Sequence, residues 1–235
     1  MSTILLLGSA PMARQARDWP RAPFDAIVAI NNAHAVRPDW DYLVYPYDFP
    51  NERLPQHHAH QRLVDETAFV PAQNAFGGFV YAGGTMAFTA AYWALYSLAP
   101  KTMAFFGCDM HYPATGPTHF YGTGTADPLR PDITLRSIEA KSARFFVQAA
   151  MAGCQVVNLS DGPSRLIFPR ANRDNLGPWS APEIALDLAQ RAQQIEAELG
   201  YFVPSGRYWE EADRFDPAQI DRLDRLWLAA AKAII

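Results

Sequence analysis

Short, uniformly apolar runs punctuate the chain. Thr3 to Leu7, residues 25–30, residues 41–47, Thr102 to Phe106 and Gln155 to Leu159 show no polar alternation. That is the pattern of strands buried on both faces. Residues 67–70 and 78–81 are shorter strand candidates, and the polar stretch 51–64 reads as helical. Thr85 to Leu98 is apolar nearly all round, which predicts a buried helix. Thr134 to Ala152 has helical spacing through Ile138, Phe145 and Ala149, with Gly153 placed to cap it. Strands alternating with helices predict an α/β fold: an open, mostly parallel sheet with helices on both faces.

The last sixty residues differ in character. Ser180-Ala181-Pro182-Glu183 reads as a capping box before a helix with Ile184, Leu188, Ile195 and Leu199 on one face, ended by Gly200. Asp216-Pro217 starts a second helix with Ile220, Leu223, Trp227 and Ala231 in register. An aromatic link with Tyr201, Phe202, Tyr208 and Trp209 joins them. The polar segment 172–179, with Gly177-Pro178, reads as a linker. The division is an α/β domain over residues 1–172 and a helical extension over residues 173–235. An apolar tail face packs on its own core or on a sister subunit in a homo-oligomer.

Composition narrows the setting. A net charge of -4 over 235 residues argues against nonspecific nucleic-acid binding. No apolar run reaches the roughly 20 residues of a membrane span. The amino-terminal segment lacks a basic region and reads as a first strand rather than a signal peptide. Two cysteines, Cys108 and Cys154, give neither a disulfide framework nor zinc spacing. A cytoplasmic protein with free thiols is the expectation.

Candidate chemistry gathers where strands end. Gly8-Ser9-Ala10-Pro11 follows the first strand; it is neither a Walker A loop nor a GxGxxG turn. Asn31 and Asn32 follow the second strand and offer amides to a base or ribose, with Asn31 the better placed. Gly83-Gly84-Thr85 precedes the buried helix, whose amino terminus can hold an anion. Asp109 follows the central strand, where a carboxylate can meet a hydroxyl, a metal or a histidine. A long loop then carries His111, Tyr112, His119 and Tyr121; His119 is the candidate general base and His111 reads as a surface residue. Ser164, Arg165 and Arg170 follow the last strand, where an arginine could take a phosphate. Asp39-Trp40-Asp41 reads as a turn rather than a metal-binding Asp-x-Asp, and His57-His58-Ala59-His60 as a solvent-facing helix rather than a metal site.

The order Leu7-Gly8-Ser9-Ala10-Pro11, Ile30-Asn31-Asn32, Gly83-Gly84, Gly107-Cys108-Asp109-Met110 and His119-Phe120-Tyr121-Gly122 resembles bacterial glycosyltransferase family 42, the CMP-sialic-acid-dependent sialyltransferases. It is also similar to the related Rossmann-like group that includes the 6-hydroxymethyl-dihydropterin pyrophosphokinases. The resemblance covers roughly residues 3–170. It implies a Rossmann-like fold with Gly8, Ser9 and Ala10 near the nucleotide phosphate. Asn31, flanked by Asn32, would lie against the nucleoside, and Gly83, Gly84 and Thr85 at a phosphate-binding turn. Thr123 stands where the family has its catalytic histidine. His119 matches the family's non-catalytic histidine, and its place in the loop makes it the expected base here, with Tyr112 or Tyr121 donating to the departing phosphate and Asp109 in the catalytic set. The expectation is a transferase taking a CMP-sugar donor and a hydroxyl acceptor, with no metal or other cofactor required. The alternatives are an ATP- and Mg²⁺-dependent pyrophosphokinase-like enzyme, with Asp109 as metal ligand, and a noncatalytic nucleotide-binding or interaction protein.

Overall fold

The apolar runs pair into one sheet. The computed structural model describes residues 2–124, 130–176 and 180–232. Its strands are β1 (Thr3–Leu7), β2 (Ala26–Ile30), β3 (Tyr42–Val44), β4 (Arg62–Val64), β5 (Thr102–Phe106) and β6 (Gln155–Asn158), in the order β4-β3-β2-β1-β5-β6. Every pairing is parallel. The sheet is therefore an open, Rossmann-like α/β sheet. Strand order reverses between β1 and β5, and their carboxyl ends open a crevice there.

Each strand divides its residues between two cores, as the pleat requires. Ile4, Leu6, Val28, Ile30, Met103 and Phe105 face one cluster. Leu5, Leu7, Ile27, Ala29, Ala104 and Phe106 face the other. Among the described residues there are six α-helices: α1 (Glu66–Asn74), α2 (Phe79–Ala82), α3 (Met86–Leu98), α4 (Ile138–Met151), α5 (Leu186–Leu199) and α6 (Pro217–Ala230). All contribute to the first cluster. The 3-10 helix Pro11–Asp18 covers the second through Ala13 and Ala16.

Several local expectations are corrected. Residues 51–64 form a 3-10 turn at Asn51–Arg53 and the edge strand β4, not a helix; Pro50 and Pro55 interrupt any helical run there. Residues 67–70 lie in α1, and residues 78–81 are the N-cap and first three residues of α2, rather than strands. Short apolar runs do not separate the two states, and Asp65 decides the first by accepting the Thr67 N–H at 3.0 Å as an N-cap. Strand β3 stops at Val44, before Pro46. Helix α4 begins at Ile138, capped by Ser137 accepting from the Ala140 N–H at 3.1 Å. The predicted capping box at 180–183 does not form: α5 starts at Leu186 with no side-chain cap, and Glu183 pairs with Lys232. Gly200 ends α5 in the left-handed region and Asp216 caps α6, as expected. Of the expected linker, residues 177–179 lie outside the described residues.

Buried charge ties the tail to the sheet. Arg144 on α4 is 1% exposed. It meets Glu196 on α5 through Nε–Oε1 and Nη2–Oε2, both 2.7 Å, and donates to the Tyr92 hydroxyl on α3 at 2.7 Å. Trp227 on α6 donates its indole N–H to Glu196 at 2.8 Å. A second buried pair joins Lys141 to Asp224 at 2.8 Å. Removing one partner of such a pair strands the other without water. Glu196→Ala should therefore cost about 3–5 kcal/mol in urea unfolding. The double variant Arg144→Leu/Glu196→Leu should cost less than that single change, and an equal or larger loss would show that the pair is not the anchor.

Candidate functional site

The crevice between β1 and β5 is made by two glycines in close approach. The Gly8 N–H donates to the Phe106 carbonyl at 2.9 Å, and the Ala10 N–H to the Gly107 carbonyl at 3.0 Å. A Cβ on Gly8 would lie 2.3 Å from the Gly107 oxygen and 2.7 Å from the Cys108 sulfur. No larger residue fits without moving β5. Gly8 is thus required by the neighbouring strand, whatever binds above it.

One wall of the crevice is the first turn of α3. Thr85 is its N-cap, accepting the Phe88 N–H at 3.3 Å. Met86 and Ala87 follow, line the crevice, and carry N–H groups with no intrahelical acceptor. The helix dipole adds partial positive charge at that end. The Gly83 and Gly84 N–H groups are already committed, to the Phe79 carbonyl at 2.9 Å and the Thr134 hydroxyl at 3.0 Å. The donors available to an anion are therefore displaced from the Gly-Gly pair into the helix.

The facing wall is a tight turn. His119 and Gly122 exchange backbone hydrogen bonds at 2.9 and 3.1 Å around Phe120 and Tyr121. The Phe120 N–H donates to the Ser9 carbonyl at 2.9 Å, and its ring packs on the second apolar cluster. These two anchors hold His119 over the end of β1. Its ring stacks on Tyr121 (centroids 4.9 Å, 17°) and lies 5.9 Å from the Tyr112 ring. Thr118 Oγ1 lies 2.9 Å from His119 Nδ1, accepts the Gly124 N–H at 3.1 Å and reaches the Gly124 carbonyl at 3.3 Å. Thr118 thus ties the Nδ1 side of the ring to the loop, fixing the ring's orientation.

The floor holds Asn31, in the left-handed region at φ 52°. Its Oδ1 is buried and has no hydrogen-bond partner among the described residues. The crevice, about 160 Å³, therefore gathers Gly8, Ser9, Ala10, Asn31, Thr85, Tyr112, His119 and Tyr121 from the expected set. His111, read from sequence as a surface residue, is exposed but lies on this wall. Cys108 also lines it; burial first, and the Asp109 charge second, push its thiol up, so it remains protonated at neutral pH.

Asp109 is not on the wall. It is 4% exposed, its Oδ1 accepts the Asn158 amide at 3.0 Å, and its backbone carbonyl accepts the Arg165 N–H at 2.9 Å. It fastens β6 to β5 beneath the crevice. Asn32 sits in the 3-10 helix Asn31–Ala35, and neither it nor Gly83 reaches the crevice. Arg165 is held by Glu139 at 2.7 Å, and Arg170 by the Ser160 and Gly162 carbonyls. Asp39 pairs with Arg37 and Asp41 with Arg21, as a turn. His57, His58 and His60 are exposed on an irregular segment, not a helix. Among the described residues no three His, Cys, Asp or Glu side chains are placed to hold a metal.

A second, larger cleft of about 570 Å³ adjoins the first, sharing Asn31 and Met86. It lies over the ends of β3 and β4, and its far wall is the 3-10 helix Tyr208–Arg214 of the tail. Tyr208 donates to Asp132 Oδ2 at 2.7 Å, Arg130 meets the same oxygen at 3.0 Å, and Thr134 donates to Oδ1 at 2.7 Å. Burial opposes ionisation of Asp132, but bonds from Thr134, Tyr208 and Arg130 outweigh it and hold the carboxyl below its usual range. Burial, then the Asp132 charge, push Tyr208 up to about 12. Sequence reasoning missed Asp132 and Thr134; Asp-x-Thr before a helix was the available signal.

Comparison with family models, with curated proteins and with solved structures gives no match to this chain. No helix among the described residues is long and apolar enough to cross a membrane.

Gly8→Ala should cost about 1–3 kcal/mol, the usual effect of overpacking, read by urea unfolding; an unchanged midpoint would show that β5 yields freely. Asp132, with its folded pKa lowered, stabilises the fold fully above the ordinary aspartate value of about 3.9 and loses that contribution as pH falls further. The stability gap between the protein and Asp132→Asn should thus be constant near neutrality and narrow only in acid.

Proposed function

We propose that the chain is a transferase that uses a nucleotide-activated donor, with a CMP-sugar as the donor class and a hydroxyl as acceptor. The observation that carries this reading is the placement of His119 across the crevice from the amino terminus of α3, between two tyrosines. A base thus faces an anion-binding helix end.

In the proposed step the acceptor oxygen attacks the anomeric carbon of the donor, and His119 Nε2 takes its proton. The bond from that carbon to the phosphate oxygen breaks, and the phosphate keeps the electron pair. The Met86 and Ala87 N–H groups and the hydroxyl of Tyr112 or Tyr121 receive the developing charge. Ser9 and Asn31 orient the donor from the floor. The Mg²⁺-dependent alternative needs Asp109 as a ligand. That carboxylate lies under the floor, bonded to Asn158, so the donor set does not fit and no step is routed through a metal.

His119→Gln should lower kcat roughly 100- to 10,000-fold while leaving the CMP-induced rise in melting temperature intact. Transfer at the full rate by this variant would sink the assignment of the base. Stabilisation by ATP with Mg²⁺ and not by CMP, lost in Asp109→Ala, would favour the pyrophosphokinase instead.

A further inference from the structure

The crevice of about 160 Å³ is smaller than the roughly 300–1,000 Å³ of sites that enclose a whole small molecule. On the nucleotide reading it has room for a phosphate and the reacting atoms, and the rest of the nucleotide would lie elsewhere. The adjoining cleft of about 570 Å³ has the size, and it is entered past Asn31 and Met86. It also has an unusual rim. Tyr47, after β3, is 69% exposed, and Trp209, from the tail, is 51% exposed. Their rings are 23° from parallel with centroids 6.4 Å apart. Centroids roughly 4.5–7 Å apart are the ordinary range for aromatic rings in contact, and this pair falls within it. The two rings thus form an exposed aromatic pair on the cleft, whose free faces can stack a base. Asp48, next to Tyr47, and Glu66, after β4, are carboxylates on the same cleft, suited to accept from ribose hydroxyls. The α-phosphate would remain by the helix end.

We infer that the aromatic cleft is the nucleoside site, with Trp209 and Tyr47 stacking the base. This deepens the nucleotide reading above and rests on it. The segment carrying Trp209 lies outside the region that resembles the sialyltransferases, so the tail supplies a specificity-determining residue. Charge favours a nucleoside over a second phosphate group here: Asp48, Glu66 and Asp132 face Arg130 and Arg207, and Arg130 is bonded to Asp132 and Tyr208.

The test is calorimetric titration of the full chain with CMP, UMP, AMP, GMP and ribose 5-phosphate. Trp209→Ala and Tyr47→Ala should each weaken the preferred nucleotide roughly 5- to 150-fold, the range of one lost base stack. Ribose 5-phosphate should bind each variant within about twofold of its affinity for the parent protein, and Trp209→Phe should recover most of the loss. Both side chains are exposed, so melting temperatures in the absence of ligand should not move. If CMP binds equally well to Trp209→Ala, the inference falls and the CMP reading stands. If a purine nucleotide alone binds, and needs Trp209, the CMP reading falls and the inference stands. If no nucleotide binds, or neutral saccharides alone bind in a Trp209-dependent way, both fall.

Discussion

The close approach of Gly8 to Gly107 is the constraint on which the site depends. Two adjacent parallel strands, β1 and β5, end with their backbones drawn together by the Gly8 and Ala10 N–H bonds. Nothing larger than hydrogen fits at Gly8. That contact fixes the angle at which the chain leaves each strand. From β1 the Ser9 carbonyl is presented to Phe120, which places His119. From β5 the chain descends to Asp109, which fastens β6. One wall of the crevice and the seating of β6 beside it are thus set by one backbone approach, at the point where the strand order reverses.

The fold was legible where burial was extreme. Strands covered on both faces leave runs such as Leu5-Leu6-Leu7 and Ala104-Phe105-Phe106, and α3 leaves an almost wholly apolar helix. Legibility failed at the edge. Strand β4 is three residues long with Arg62 exposed, so it carries no such run, and α1 is decided by one capping aspartate. The supposed capping box failed because Ser180 and Glu183 carry the right letters while α5 begins later, tied by the Ala185 N–H to the Ala230 carbonyl at 2.8 Å.

The candidate site divides the same way. Glycines, Asn31 and His119 announced themselves because strand ends and loops with special backbone demands collect such residues. Asp109 was misplaced because an acid after a central strand looks the same whether it faces a ligand or the end of the next strand. Only Asn158, forty-nine positions away, tells the two apart. The reverse error concerns Trp209 and Asp132. They reach the second cleft through long-range packing of the tail, and local sequence held only an aromatic-rich link and an Asp-x-Thr.

The buried Arg144–Glu196 pair has a consequence for how the chain is made. Synthesis runs from the amino terminus, and the sheet with α4 is complete before Glu196 emerges. Until then Arg144 lacks its counter-charge, and the face of α4 that will receive α5 and α6 stays open to water. The nascent chain cannot settle early into a finished core, because a lone guanidinium resists being enclosed. Docking of the tail supplies that counter-charge, and the same packing raises the Tyr208–Trp209 wall. A fragment ending before Glu196 would leave that face of α4 unsealed, so the anchor of the fold and the wall of the second cleft are lost together.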